Sequence, residues 1–321
     1  MLGISNLSIC TDDEKDGKDG KDGKDTENAY VFVMFKGDRY LPGMLVMAHS
    51  IIRTNTKYDI VCIVTDDVPE SAIDQMELLG IKIHIVEYLR YKVKPSLTKK
   101  QQFRYDSWSD ISLTKYHCLN LTQYKKIFYI DCDMVVIKNI DHVFDINAPA
   151  AVFENAWGVQ LGKSRKKDGS QSTITPREIK NALLNKGFVH TATCELLEPS
   201  EKIFKLFKLM VESIQPFGFN SYSHVQEQAM AHLFSVYDKG PKTSWHNLGI
   251  GYAFMEWKYT ALGKKLPDVE VYIKDFTGNN KPWEVCRGKW EDLDEWFEVA
   301  DDLNANMKRD GIDLEVEIKE C

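Results

Sequence analysis

Three observations predict an α/β fold with a Rossmann-like, mainly parallel sheet flanked by helices. Short apolar runs alternate with stretches whose apolar residues recur at helical spacing, the pattern of parallel strands joined by crossover helices. The runs at 30–35, 59–65 and 127–137 are nearly continuous in apolar character, as in strands covered on both faces. The third of them, Ile-Phe-Tyr-Ile-Asp-Cys-Asp-Met-Val-Val-Ile, carries two acids for which a buried strand has no structural use.

The elements follow in order. Residues 12–27 are of low complexity, with Gly-Lys-Asp triplets beginning at Gly17, Gly20 and Gly23. Glycine at every third position is the collagen period, but three triplets without proline cannot hold a triple helix. Residues 1–28 therefore read as a disordered, self-neutralising tail, with mimicry of or tethering to a collagen-like acceptor as the sharper alternative. The domain is expected over 29–290. Its first strand, 30–35, runs into the loop Lys36-Gly37-Asp38-Arg39-Tyr40 and then a helix entered at Pro42 with Leu45, Ala48, His49 and Ile52 on one face. Strand, loop, helix opens a nucleotide-binding unit, in which ligands gather beyond the carboxyl ends of the strands. A second strand at 59–65, a helix entered at Pro69 and closed by Gly80, and a third strand at 81–86 repeat the pattern. His84 is a strand histidine. The stretch 88–110 reads as a basic loop, with Arg104 as the residue facing a pyrophosphate. Lys115 and His117 lie on the helix leading to the acidic run, His117 as packing.

In an extended run Asp131 and Asp133 project to one side while Cys132 turns away. Their repulsion and lost hydration need compensation by a cation or by dense hydrogen bonding. Hard oxygen ligands suit Mg²⁺ or Mn²⁺ bound to a nucleotide diphosphate. The alternative is that the pair caps a turn at a strand end.

Further on, 154–187 is expected to form a lid. It contains a capping box at Thr175 and Glu178 with Pro176 at the first helical position. The helix from Ser200, with Ile203, Phe204, Phe207, Met210, Val211 and Ile214 on one face, is scaffold. Residues 269–274 alternate as a strand that ends at Asp275, followed by the turn-like Gly278 and by Lys281-Pro282-Trp283. In 291–321, Leu293, Trp296, Phe297, Ala300, Leu303 and Met307 predict an amphipathic helix stopped at Gly311, then an edge strand at 312–316, packed on the domain or forming a homodimer contact.

Composition narrows the class. With 321 residues, 43% of them apolar, a sizeable core can form. A net charge of −7 gives no basic surface for nucleic acid, and no stretch has the apolar length of a membrane span or the layout of a secretory leader. Seven scattered cysteines without a Cys-x-x-Cys pair suggest neither disulfides nor zinc and point to a reducing, cytoplasmic compartment.

The block 112–145 has a Thr-Lys pair, Leu121-x-x-Tyr124, the Asp-x-Asp strand and the exit Asn139-Ile140-Asp141-x-x-Phe144-Asp145. It closely resembles the central block of the glycogenin-like glycosyltransferases of family 8, retaining enzymes of the GT-A fold that use nucleotide sugars. The resemblance implies a single GT-A type nucleotide-sugar transferase domain moving a hexose, glucose or galactose, from a UDP-sugar to a hydroxyl of a protein or glycan. It places Mn²⁺, or Mg²⁺, on Asp131, Asp133 and Asp275, the last standing where the family has histidine. Met34, Lys36, Gly37 and Tyr40 match the uridine loop, and Asp131-Cys132-Asp133, Gly278 and Lys281 the diphosphate site. Lys115 matches a donor-contacting lysine. Thr191 and Thr193 replace the family's Asn-x-Gly beside the donor sugar. Glu227 and Gln228 match an Asp-Gln pair near the anomeric carbon. Self-glucosylation at Tyr252 or Tyr259 is a minority expectation, and a nucleotidyltransferase or a catalytically silent UDP-sugar-binding scaffold are the alternatives.

Overall fold

The computed structural model describes residues 25–91, 99, 102, 107–153, 172–185, 189–213, 225–278 and 281–321. The chain opens with β1 (Asp25–Met34), α1 (Leu41–Ile52), β2 (Tyr58–Thr65), α2 (Glu70–Leu78) and β3 (Lys82–Val86). A 3₁₀ segment (Ser112–Asn120) leads to β4 (Lys126–Ile130), β5 (Met134–Val136), β6 (Ala150–Val152), β7 (Thr173–Ile174), α3 (Pro176–Asn185) and β8 (Thr191–Leu197). Then come α4 (Glu201–Ser213), α5 (Val225–Ser235), β9 (Trp245–Asn247), α6 (Glu256–Ala261), β10 (Ile273–Asp275), β11 (Cys286–Arg287), α7 (Asp294–Asp310) and β12 (Lys319–Glu320).

The main sheet has the order β3-β2-β1-β4-β8-β6-β9-β7. From β3 to β4 all pairings are parallel, whereas β8 runs antiparallel to both β4 and β6. The chain leaves β1 toward β2 on one side and returns to β4 on the other. The carboxyl ends of β1 and β4 therefore flank a switch point, where open α/β sheets form their ligand crevice. Both faces are covered, as the continuous apolar runs require. Tyr30, Phe32 and Met34 face a core shared with α1 and α7, while Ala29, Val31 and Val33 face one built with the 3₁₀ segment, α4 and α5.

Several sequence expectations shift. The acidic run is not one strand: β4 ends at Ile130, and β5 leaves to pair with β10 in a separate two-stranded sheet. Asp131, Cys132 and Asp133 form the turn between them, with the Cys132 thiol buried against Val33 O at 3.2 Å. The predicted strand at 269–274 contracts to β10. Residues 312–316 form no strand, because Leu314 and Val316 are buried in the core and Asn304 bonds both the N–H and the C=O of Val316. The pairing comes later, between β12 and β11. There Cys286 and Cys321 form a disulfide, which corrects the expectation of unpaired cysteines and removes the cysteine argument for a reducing compartment. β1 begins at Asp25, five residues before the expected start of that strand, across a register break; residues 1–24 lie outside the described residues.

Other local readings hold. Thr175 and Glu178 exchange hydrogen bonds as a capping box at the start of α3, and α7 stops at a left-handed Gly311. The apolar stripe of α7 is covered within the chain by the core it shares with α1. Residues 154–171 and 186–188 of the expected lid lie outside the described residues. No helix among the described residues is long and apolar enough to cross a membrane.

Candidate active site

Three acids lie near one another at the carboxyl end of β4, within reach of each other's charge. Asp131 and Asp133 occupy the turn, and β10 brings Asp275 opposite Met134, with Phe276 N–H donating to Asp133 O at 2.9 Å. Asp131 Oδ1 accepts from the Tyr129 hydroxyl at 2.7 Å, Asp133 Oδ2 is in contact with Lys281 Nζ, and Asp275 Oδ1 accepts from Thr277 N–H at 2.7 Å. Among the described residues each acid thus keeps one oxygen without a protein partner, and Asp275 Oδ2 is both buried and orphaned.

The electrostatics follow from crowding. Burial, then the charge of Asp133, pushes the carboxyl of Asp275 up to about 6. Burial likewise raises Asp131 to about 7, against the opposing pull of Lys115 and with a further push from Asp133. Burial works against the charge of Lys281, but Asp133 and then Tyr40 outweigh it and raise its pKa.

Two buried lysines bracket the turn. Lys115 is 1% exposed; its Nζ donates to Ala192 O at 2.5 Å, lies 3.8 Å from Asp131 Oδ1 and sits 4.3 Å from the centre of the Tyr129 ring. Lys281 approaches from the opposite side, 5.9 Å from the ring centre of Tyr40, which meets Trp283 edge-on at 5.3 Å.

The remaining predicted residues fall as follows. Lys36 and Gly37 both have positive φ, 63° and 79°, so the loop after β1 turns sharply. Lys36 Nζ donates to Ser107 O at 2.5 Å, which points it at the neighbouring loop. The Met34 side chain is buried in the core. Thr193 O accepts from Asp131 N–H at 2.9 Å, and its hydroxyl lies 3.3 Å from that of Thr191. Gly278, at φ 155°, faces the Trp257 indole. Gln228 is buried in the first turns of α5, which are tied to the Lys115 segment by Gln226 Nε2 to Ser112 O at 3.0 Å and by Tyr116 OH to Gln226 O at 3.0 Å. Glu227 lies in the same helix. Arg104 lies outside the described residues.

Sequence reading missed Tyr129, Thr277 and Lys258. Tyr129 stands two residues before Asp131 and Thr277 two after Asp275, spacings that allow them to bond those acids. Lys258, on α6, is half-buried, makes no ion pair among the described residues and feels the charge of Asp275. Only its place near the site reveals it.

Among the described residues no three His, Cys, Asp or Glu side chains converge as a ready-made metal cage. The residues nonetheless fit a hard divalent cation. Three acids from two adjoining segments each retain an oxygen that is bare among the described residues, and one of these is buried.

Comparison with known proteins gives the family and the fold. The model of "Glycosyl transferase family 8" matches residues 31–189. An uncharacterized protein, R707, of Acanthamoeba polyphaga mimivirus is 41% identical over 257 residues, covering 79% of this chain and 82% of that protein. Human glycogenin-1 is 30% identical over 132 residues, 41% of this chain and 36% of glycogenin-1, so the shared part is well under two thirds of that relative. Among solved structures, the galactosyltransferase LgtC with donor and acceptor sugar analogs superposes over 85% of this chain and 95% of its own, with a TM-score of 0.52 and 17% identity. The sheet with its switch-point crevice is therefore that of a GT-A glycosyltransferase. Within that class, the chain belongs to glycosyltransferase family 8.

Proposed function

We propose that the protein transfers a hexose, glucose or galactose, from a UDP-sugar to a hydroxyl of a protein or glycan, with retention at the anomeric carbon. The observation that carries this reading is the acid triad at the end of β4, with Lys281 on Asp133 and Lys115 beneath Asp131. Asp131, Asp133 and Asp275 would hold Mn²⁺ or Mg²⁺. Such an ion neutralises the donor's diphosphate and stabilises the UDP that leaves. Lys281 adds fixed positive charge beside the same phosphates, and Lys115 keeps the Asp131 carboxylate in place from below the sheet. Lys36, Gly37 and Tyr40, at the mouth of the β1 loop, would take the uridine, while Thr191 and Thr193 would face the sugar. Glu227 and Gln228, carried by α5, would lie next to the anomeric carbon. In the transfer the bond from that carbon to the phosphate oxygen breaks, a bond to the acceptor oxygen forms, and the acceptor's proton passes to the leaving phosphate.

A second reading, an acidic sugar as donor, is favoured by Lys258, a half-buried cation near Asp275 with no carboxylate paired to it among the described residues. One assay decides between them: a panel of UDP-glucose, UDP-galactose and UDP-glucuronate with Mn²⁺, scored for free UDP, pyrophosphate and intact mass. Release of UDP that a chelator abolishes supports transfer, and the preferred donor separates the two readings. Pyrophosphate in place of UDP would indicate a nucleotidyltransferase. UDP binding without turnover would indicate a scaffold. A protein mass unchanged after incubation excludes self-glucosylation.

A further inference from the structure

Two titratable residues, His190 and Glu195, are wholly buried away from the acid triad. His190 Nε2 and Glu195 Oε1 lie 2.8 Å apart, both side chains 0% exposed. We propose that this pair is a positioning clasp: it closes the base of a bulge in β8 and thereby sets the carbonyls that hold Lys115 and Asp131.

The register defines the bulge. Ala151 of β6 pairs with Glu195, but the next residue, Val152, pairs with Thr191, so one step on β6 corresponds to four on β8. Against β4 the same strand stays in register, from Ile127 with Leu197 to Ile130 with Cys194. Residues 192–194 are therefore pushed out of the β6 ladder, which frees their carbonyls for other partners. Ala192 O takes Lys115 Nζ and Thr193 O takes Asp131 N–H. His190 and Glu195 stand on either side of this excursion and bond across it. The imidazole is fixed from behind by Trp245, with ring centres 4.9 Å apart, and by Phe153 at 5.4 Å.

Core stability alone does not account for the pair. Among the described residues Glu195 Oε2 and His190 Nδ1 are buried without partners. Two apolar side chains of similar volume would serve such a core as well or better. What an apolar pair cannot do is hold residues 190 and 195 at a fixed separation, and that separation determines where the carbonyls of 192 and 193 point. His190 and Glu195 touch neither donor nor metal on this account; they act through the backbone, as outer partners of metal sites do.

The clasp follows from the geometry, whereas its consequence for ligand binding rests on the proposed function, so the test reads the two separately. The double variant His190→Phe with Glu195→Leu removes the pair without stranding a charge. Its melting temperature is expected to stay close to that of the wild type. Hydrogen exchange in the segment containing the Asp131 amide should quicken about tenfold while that of β1 and β2 is unchanged, and Mn²⁺-dependent UDP affinity by calorimetry should fall about tenfold or more. The single variant Glu195→Gln keeps an oxygen to accept from His190 and should leave both readouts at their wild-type values. A folded double variant with wild-type exchange at Asp131 overturns the clasp. Altered exchange with unchanged UDP affinity overturns its role in binding. Wild-type protein that binds no UDP overturns the proposed function while leaving the exchange result to judge the clasp. If the double variant does not fold, His190→Ala, which leaves Glu195 without its donor, is read by the same exchange measurement with the same two outcomes.

Discussion

Lys115 and Lys281 flank one acidic turn in opposite ways. Lys115 reaches up from the 3₁₀ segment and is shared among a carbonyl, a tyrosine ring and Asp131, so it is built into the sheet beneath the site. Lys281 comes from the connection after β10 and touches Asp133, with Phe276 O at 3.5 Å as its other partner. The first lysine belongs to the scaffold and the second to the ligand side. The third acid, Asp275, has no lysine in contact among the described residues and is bonded by Thr277. The difference teaches that each acid of the turn has a lysine at hand, whereas Asp275 on β10 feels only the unbonded charge of Lys258, so an added cation has something to gain there too.

The widest break in this comparison is expected from Asp133→Asn, which removes one of the turn's two carboxylates and strands Lys281. UDP release should fall about 10²–10³-fold, and chelator-sensitive UDP binding should be lost; a mild effect would mean the acids are not the metal's ligands. Next comes Lys115→Met. Removing one partner of a buried charge pair costs about 3 kcal/mol or more, so urea denaturation should show a clear loss of stability. Lys281→Met should cost stability as well, because it leaves Asp133 buried without its cation, and should differ in binding: UDP affinity drops by about 2 kcal/mol, the worth of a charged hydrogen bond to phosphate. If the two methionine variants matched in both measurements, the division between scaffold and ligand side would be wrong.

The smallest effect concerns the uncompensated acid. Asp275 holds its proton to about 6 in the folded chain, above its ordinary value, because of burial and then Asp133. A carboxyl raised on folding contributes stability that is full below its unfolded pKa and is lost as pH rises through its folded one. With chelator present, the melting temperature should therefore decline between pH 4.5 and 7, and Asp275→Asn should flatten that slope. Parallel slopes in the two proteins would show that Asp275 is not the strained member.

Much of this was legible in the residues. Acids inside an apolar run are anomalous, so Asp131 and Asp133 declared themselves, and the alternation of strands and helices gave the sheet. Periodicity cannot show that the run breaks at 131–133, because both halves are equally apolar; the break exists because β5 finds its partner 137 residues downstream at Ile273. Lys115 and Lys281 were visible only through a family likeness, since a single lysine on a helix or turn is ordinarily solvated. His190 and Glu195 look commonplace until a strand register sets them face to face. An odd cysteine count, spread along the chain, concealed the pairing of Cys286 with Cys321.

Gly43 lies on α1 where an added Cβ would fall 2.4 Å from the Trp283 indole and 2.9 Å from the carbonyl oxygen of Cys132. The first helix, the acidic turn and the tryptophan after Lys281 thus meet across a gap with no room for a methyl group. Position 43 is consequently a tolerance gauge for this junction, and a library that spares every polar side chain but admits alanine there would still shift the acidic turn against Trp283.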